Sequence, residues 1–212
     1  MQVAIAAFPR MTALDAIGPY EVFQRVPSLD LVFVGEKRGE VRTENGFLGL
    51  TVDATFDEVP APDVVVVPGG IGTRAFTDGG PIVDWARATY AGTRFTTSVC
   101  TGSLVLAAAG LLDGLTATTH WSALDLLTKL GAEPVTQRVV EHLDRRLITA
   151  AGVSSGIDMA IRLVALLVDE TAAKSAQVMI EYDPQPPFDA GHPSRVSADV
   201  MTRVVEFAQS RA

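Results

Sequence analysis

The chain has 212 residues, 48% of them hydrophobic and 20% charged, with a formal net charge of −8. That composition is enough to bury a sizeable core and excludes global disorder, while the acidic balance argues against a nucleic-acid surface. A single cysteine, Cys100, rules out an intramolecular disulfide and fits a reducing, cytoplasmic setting.

The first residues lack the basic flank and length of a signal peptide, and 3–8 form a continuous apolar run expected of a strand covered on both faces. Gly18-Pro19 is expected to open the first helix, since proline is tolerated in a first turn. Residues 29–34 read as a second strand. Glycines 39, 46 and 49 among β-branched residues suggest a hairpin excursion over 39–59. The run Asp63-Val64-Val65-Val66-Val67-Pro68 is the clearest buried strand, and it enters the tight loop Gly69-Gly70-Ile71-Gly72. A helix over 81–90 and a strand over 94–99 follow.

Next comes Cys100, and then an apolar helix closed by Gly110. A turn at 111–114 leads to a helix over 121–130 stopped by Gly131. Residues 135–143 and 146–149 alternate as a hairpin around Asp144-Arg145. Helices are expected over 154–168, 169–179 and 196–210, and the Pro-rich piece 183–188 is expected to be a rigid surface loop. No apolar stretch is long enough for a membrane span, and there is no internal repeat or long linker, so one domain over 1–212 is expected. Strands alternating with helices point to an α/β sandwich with a mostly parallel sheet, whose sites lie at the carboxyl ends of the strands.

Cys100 sits between a buried strand and a buried helix, with the small residues Ser98 and Gly102 two places to either side. One reading is a nucleophile elbow, its thiol facing the free amides of the following helix. The other is a core cysteine, since free Cys is among the most buried residues. Asp15 reads either as a helix cap or as a carboxyl aimed at the crevice that would hold Cys100. The Gly69–Gly72 loop lacks both the dinucleotide and the P-loop patterns, so it is a plain turn or the source of a backbone N–H for an oxyanion. His120, His142 and His192 are scattered and none adjoins Cys100. His142-Leu143-Asp144 only approximates a glutaminase-type triad, and His120 reads as a packing histidine or a base. Three scattered His and one Cys show no metal-ligand spacing, so neither metal nor cofactor is expected.

Taken together, several motifs resemble the ThiJ/PfpI superfamily, and more closely its isonitrile hydratase branch. They are Leu14-Asp15 with Gly18-Pro19, Val67-Pro68-Gly69-Gly70, Ser98-Val99-Cys100-Thr101-Gly102-Ser103, Ala117-Thr118-Thr119-His120-Trp121 and Glu181-Tyr182-Asp183-Pro184-Gln185-Pro186-Pro187-Phe188. The resemblance runs from residue 3 to about 193. It implies a flavodoxin-like three-layer α/β/α sandwich and a homodimer acting on a small molecule without a cofactor. It also implies Cys100 as nucleophile and Asp15 as acid/base group in converting an isocyanide to an N-substituted formamide through a thioimidate. Under that reading the Gly70 and Thr101 amides hold developing negative charge, the Thr101 hydroxyl positions water, and His120 is a candidate supporting group.

Thr101 stands where the peptidase-like members carry His, which argues against proteolysis. The related regulators continue into a helix-turn-helix domain, which this length leaves out, so an enzyme is expected. Two other readings share Cys100. A glyoxalase- or deglycase-like enzyme on oxoaldehydes would want Glu and a nearby His. A stand-alone small-molecule or redox sensor would use an easily oxidised thiol.

Overall fold

A computed structural model describes residues 1–210. In chain order the elements are β1 (Gln2–Ala6), α1 (Ala13–Phe23), β2 (Asp30–Gly35), β3 (Gly39–Arg42), β4 (Gly49–Val52), β5 (Ala54–Thr55), β6 (Val64–Val67), α2 (Pro81–Tyr90), β7 (Phe95–Val99) and α3 (Gly102–Ala108). There follow β8 (Thr116–Ala117), α4 (Leu124–Lys129), β9 (Glu133–Pro134), β10 (Val139–His142), β11 (Leu147–Ala150), α5 (Ser155–Leu167), α6 (Glu170–Met179) and α7 (Ala198–Gln209).

Seven strands form one sheet in the order β10-β11-β7-β6-β1-β2-β5. Every pairing is parallel except β10 with β11. The central strands β1 and β6 are valine-, alanine- and isoleucine-rich and buried over nearly their whole length, as a sheet covered on both faces requires. The connection β1-α1-β2 steps one way along the sheet and β6-α2-β7 steps the other way. With both crossovers right-handed, α1 and α2 lie on opposite faces. In keeping with this, α1, α5 and α6 pack together, and so do α2 and α3. The point where the order reverses lies between β1 and β6, and sites in such sheets form beyond the carboxyl ends of the strands at that point.

Four details depart from the sequence expectation. Helix α1 begins at Ala13, not at Gly18, and Pro19 lies inside it. Proline has no N–H to offer, so the carbonyl four residues back, that of Asp15, loses its helical donor. Gly18 permits close approach of α5, since a Cβ there would sit 3.0 Å from Ile157. The 39–59 excursion splits: β3 and β4 pair as an antiparallel hairpin, but β5 joins the main sheet beside β2. Residues 121–123 form a 3-10 turn before α4 rather than part of one helix. A two-stranded parallel pair, β8 with β9, was not anticipated.

The chain groups into two units, 1–180 and residue 181 onward. The sheet and the whole buried apolar core belong to the first. The second begins with the exposed Pro-rich stretch 183–188 and contains α7, whose Val200, Val204, Val205 and Phe207 are exposed. No helix among the described residues is long and apolar enough to cross a membrane.

Candidate active site

The turn after β7 is a true elbow. Cys100 has φ +56, in the left-handed region that non-glycine residues rarely adopt, and its N–H donates to the carbonyls of Ala150 (3.0 Å) and Ala151 (2.9 Å) after β11. Its carbonyl accepts from the hydroxyls of Thr119 (3.0 Å) and Ser103 (3.1 Å). The strained backbone is thus held from both sides. A Cβ at Gly102 would overlap the carbonyl oxygens of Val67 and Pro68, so the space beside the elbow is reserved for a glycine. Ser98 is fully buried, and its hydroxyl has no hydrogen-bond partner.

Asp15 reaches the same place from the other side of the switch point. It lies in the first turn of α1 and is completely buried. Its Oδ2 accepts from the N–H of Gly69, after β6, at 2.9 Å. Its Oδ1 has no conventional hydrogen-bond partner, and the carboxyl interacts with the Cys100 thiol. The first free amides of a helix favour a carboxylate there. Burial outweighs them and raises the Asp15 pKa from 3.8 to about 7, assisted by the negative charge of Glu44 and opposed by the Gly69 N–H and the thiol.

Burial also dominates at the thiol. It pushes Cys100 up to about 12, and the neighbouring Asp15 charge pushes the same way, against the backbone N–H groups of Thr101 and Val153 that point at the sulfur. The expectation that helix amides would favour a free thiolate is therefore only partly met: the Thr101 amide does face the sulfur, but α3 spans only seven residues and cannot offset desolvation. The two groups form a coupled pair that holds one proton between the two titrations.

Thr101 and Gly70 meet, but not as anticipated. The Gly70 N–H donates to Thr101 Oγ1 at 2.8 Å, and that hydroxyl donates back to the Gly70 carbonyl at 3.1 Å. The Gly70 amide is therefore already engaged rather than open to an oxyanion, and the Thr101 hydroxyl ties two loops together. Gly69 faces Asp15 and Thr101 so closely that a Cβ would stand 2.9 Å from Asp15 Oδ2.

His120 is half-buried. Its Nδ1 lies 2.7 Å from Ser122 Oγ and accepts from the Ser122 N–H, and its ring packs over Gly152, where a Cβ would come within 2.7 Å of Cδ2. Burial lowers its pKa and favours the neutral ring. His142 bonds to the carbonyl of Thr116 at 2.7 Å and His192 to Ser194, so neither joins the thiol. Among the described residues no group of three His, Cys, Asp or Glu could hold a metal ion.

The sequence reading did not single out Val153 or Glu44. Val153, with φ +32, turns its amide toward the sulfur from the strand-to-helix turn between β11 and α5. Only the glycine before it, Gly152, hinted at a tight turn there. Glu44 comes from the tip of the β3–β4 hairpin, which had no visible link to the site.

An elbow cysteine and a buried carboxyl therefore meet at the switch point of the sheet. The DJ-1/PfpI family model matches residues 1–166. The chain belongs to the DJ-1/PfpI family. It is 42% identical to the isonitrile hydratase of Pseudomonas putida over 212 residues, covering all of this chain and 90% of that protein. It is 35% identical over 166 residues to the HTH-type transcriptional regulator CdhR of Pseudomonas aeruginosa, which covers 76% of this chain and 48% of the regulator. Among solved structures, a ThiJ/PfpI family protein from Pseudomonas syringae superposes with a TM-score of 0.91 at 38% identity, covering 99% of this chain and 86% of that one. The flavodoxin-like sandwich is thus the architecture of this DJ-1/PfpI chain.

Proposed function

We propose that this chain is an isonitrile hydratase, adding water to R–N≡C to give R–NH–CHO, with Cys100 as nucleophile and Asp15 as the carrier of the proton. The observation that carries the reading is the buried carboxyl set against the buried elbow thiol, in a chain that matches an isonitrile hydratase along its whole length.

An isonitrile carbon must accept a nucleophile and then gain a proton at the same atom. The singly protonated pair meets both needs. As the sulfur approaches the carbon, the thiol proton passes to the Asp15 carboxylate, and the Thr101 and Val153 amides stabilise the charge on sulfur. The C–S bond forms, and Asp15 delivers that proton to the carbon, leaving the thioimidate R–N=CH–S–Cys100. Asp15 is now a carboxylate again. It takes a proton from water as the water oxygen bonds to the carbon, and returns it to the nitrogen. The tetrahedral species R–NH–CH(OH)–S–Cys100 then breaks its C–S bond. The hydroxyl proton passes back to the sulfur, and the formamide leaves. No histidine is required, because the carboxyl stores the proton. The free thiol suits a reducing compartment, and the reading includes a cytoplasmic homodimer.

The test is an ultraviolet assay with an aryl isocyanide, run beside methylglyoxal. Formamide should accumulate with wild type and be lost in both Cys100→Ala and Asp15→Asn. Full activity in either variant removes that residue from the mechanism. Turnover of methylglyoxal alone would replace the reading with an oxoaldehyde enzyme.

A further inference from the structure

Glu44 lies 29 positions beyond Asp15 in the chain, yet three loops bring it to the catalytic pair. Its own N–H donates to the Met11 carbonyl at 3.1 Å, and the Arg10 N–H donates to the Arg42 carbonyl at 2.8 Å, so the hairpin tip is fastened to the segment leading into α1. The Thr12 N–H donates to the Gly69 carbonyl at 2.9 Å, and the Gly72 N–H to the Arg10 carbonyl at 3.1 Å, so that segment is fastened in turn to the loop after β6. The Glu44 side chain closes the triangle: its Oε1 accepts from the Ile71 N–H at 2.9 Å. The loop so held is the one whose Gly69 N–H binds Asp15 and whose Gly70 is clasped by Thr101 beside the nucleophile.

The carboxylate also acts through its charge. The ionisable groups that act on Asp15 are Cys100, from the elbow, and Glu44, from the hairpin. Helix α5, packed on α1, brings Ile157 rather than a charge against Gly18. The α6 charges Glu170 and Lys174 pair with each other. Glu44 also acts on His120, where Arg74 opposes it. Glu44 itself is exposed, so its influence is open to screening by salt.

We propose that Glu44 is a positioning residue for the Asp15–Cys100 pair: its carboxylate pins the Gly70–Ile71 loop to the hairpin, and so holds in place the neighbouring Gly69 N–H that binds Asp15 while bringing a negative charge to that loop. This rests on the function proposed above only for the purpose of the pair, so the test reads the pair without isonitrile turnover.

The rate of Cys100 alkylation by iodoacetamide, followed by mass spectrometry against pH, reports the loss of the first proton from the pair. In Glu44→Gln that limb should move to lower pH by about 0.2–0.7 unit at low salt, the size expected of one exposed charge. The shift should shrink in 1 M NaCl. Glu40→Gln, which removes the same charge from the same hairpin, should leave the limb in place. Hydrogen exchange supplies the second reading. The peptide covering 69–72 should exchange faster in Glu44→Ala and keep its protection in Glu44→Gln, whose amide oxygen still accepts from Ile71. An unmoved limb in Glu44→Gln, an equal shift in Glu40→Gln, or equal exchange in the Ala and wild-type proteins would overturn the proposal. A shifted limb in a protein that makes no formamide would leave it standing and refute the hydratase reading instead.

Discussion

Replacing Asp15 by Asn should make the protein inactive and, at alkaline pH, more stable. The carboxyl is completely buried and its pKa rises from 3.8 to about 7 on folding, chiefly through desolvation. Below 3.8 both folded and unfolded chains carry the proton, and the group costs nothing as a charge. Between 3.8 and 7 the unfolded chain releases the proton while the folded one keeps it, so stability falls as pH rises. Above 7 the loss is complete, at about 4 kcal/mol for a shift of this size. Asparagine has the same shape and can still accept from the Gly69 N–H, but it never ionises. Its amide NH2 faces the sulfur and is poorly matched, which costs about 1–3 kcal/mol at every pH.

The useful quantity is therefore a double difference. The stability of Asp15→Asn relative to wild type should grow by about 3 kcal/mol between pH 5 and pH 8, with a slope never steeper than about 1.4 kcal/mol per unit. Urea denaturation at pH 5, 6, 7 and 8 in fixed salt measures it, with linear extrapolation at each pH. A difference that is flat with pH would refute the argument, because it would mean that the carboxyl is not held protonated by the fold. A difference that falls with pH would show a carboxylate that the folded site stabilises.

Two further outcomes follow from the elbow and its clasp. Gly102→Ala should destabilise by about 3 kcal/mol or more in denaturant titration, because its Cβ would overlap the Val67 carbonyl oxygen, a backbone atom in the centre of the sheet that cannot yield. Thr101→Val should cost about 1–3 kcal/mol by leaving the buried Gly70 N–H unpaired, and should lower kcat more than it raises KM, since the loop beside Asp15 loses its tie.

Legibility in the sequence followed the locality of the physics. The valines of β6 and the apolar run of β1 mark central strands by burial alone, and α2 begins and ends at Pro81 and Tyr90, where its proline and flanking turns put it. The elbow was readable because Ser98, Cys100 and Gly102 lie within five residues, and the glycine has a steric reason to be there. The start of α1 was not. Thr12 makes no side-chain cap, and Pro19 looks like a first-turn residue when it is an interior one. That misplacement put Asp15 before the helix instead of within its first turn. The commitment of the Gly70 amide to Thr101, the Val153 amide and the reach of Glu44 all depend on loops from different crossovers meeting, which no local pattern records.

The Asp15–Cys100 pair spans 85 residues of chain. Between them the chain must lay down β2, β6 and β7 in register before sulfur and carboxyl can meet. A partly folded chain therefore has neither the dry carboxyl nor the cradled thiol, only an ordinary aspartate and an ordinary cysteine. Reactivity at Cys100 arrives with the completed centre of the sheet, so its pH profile doubles as a folding probe, with a single atom reporting whether β2, β6 and β7 have all taken their places.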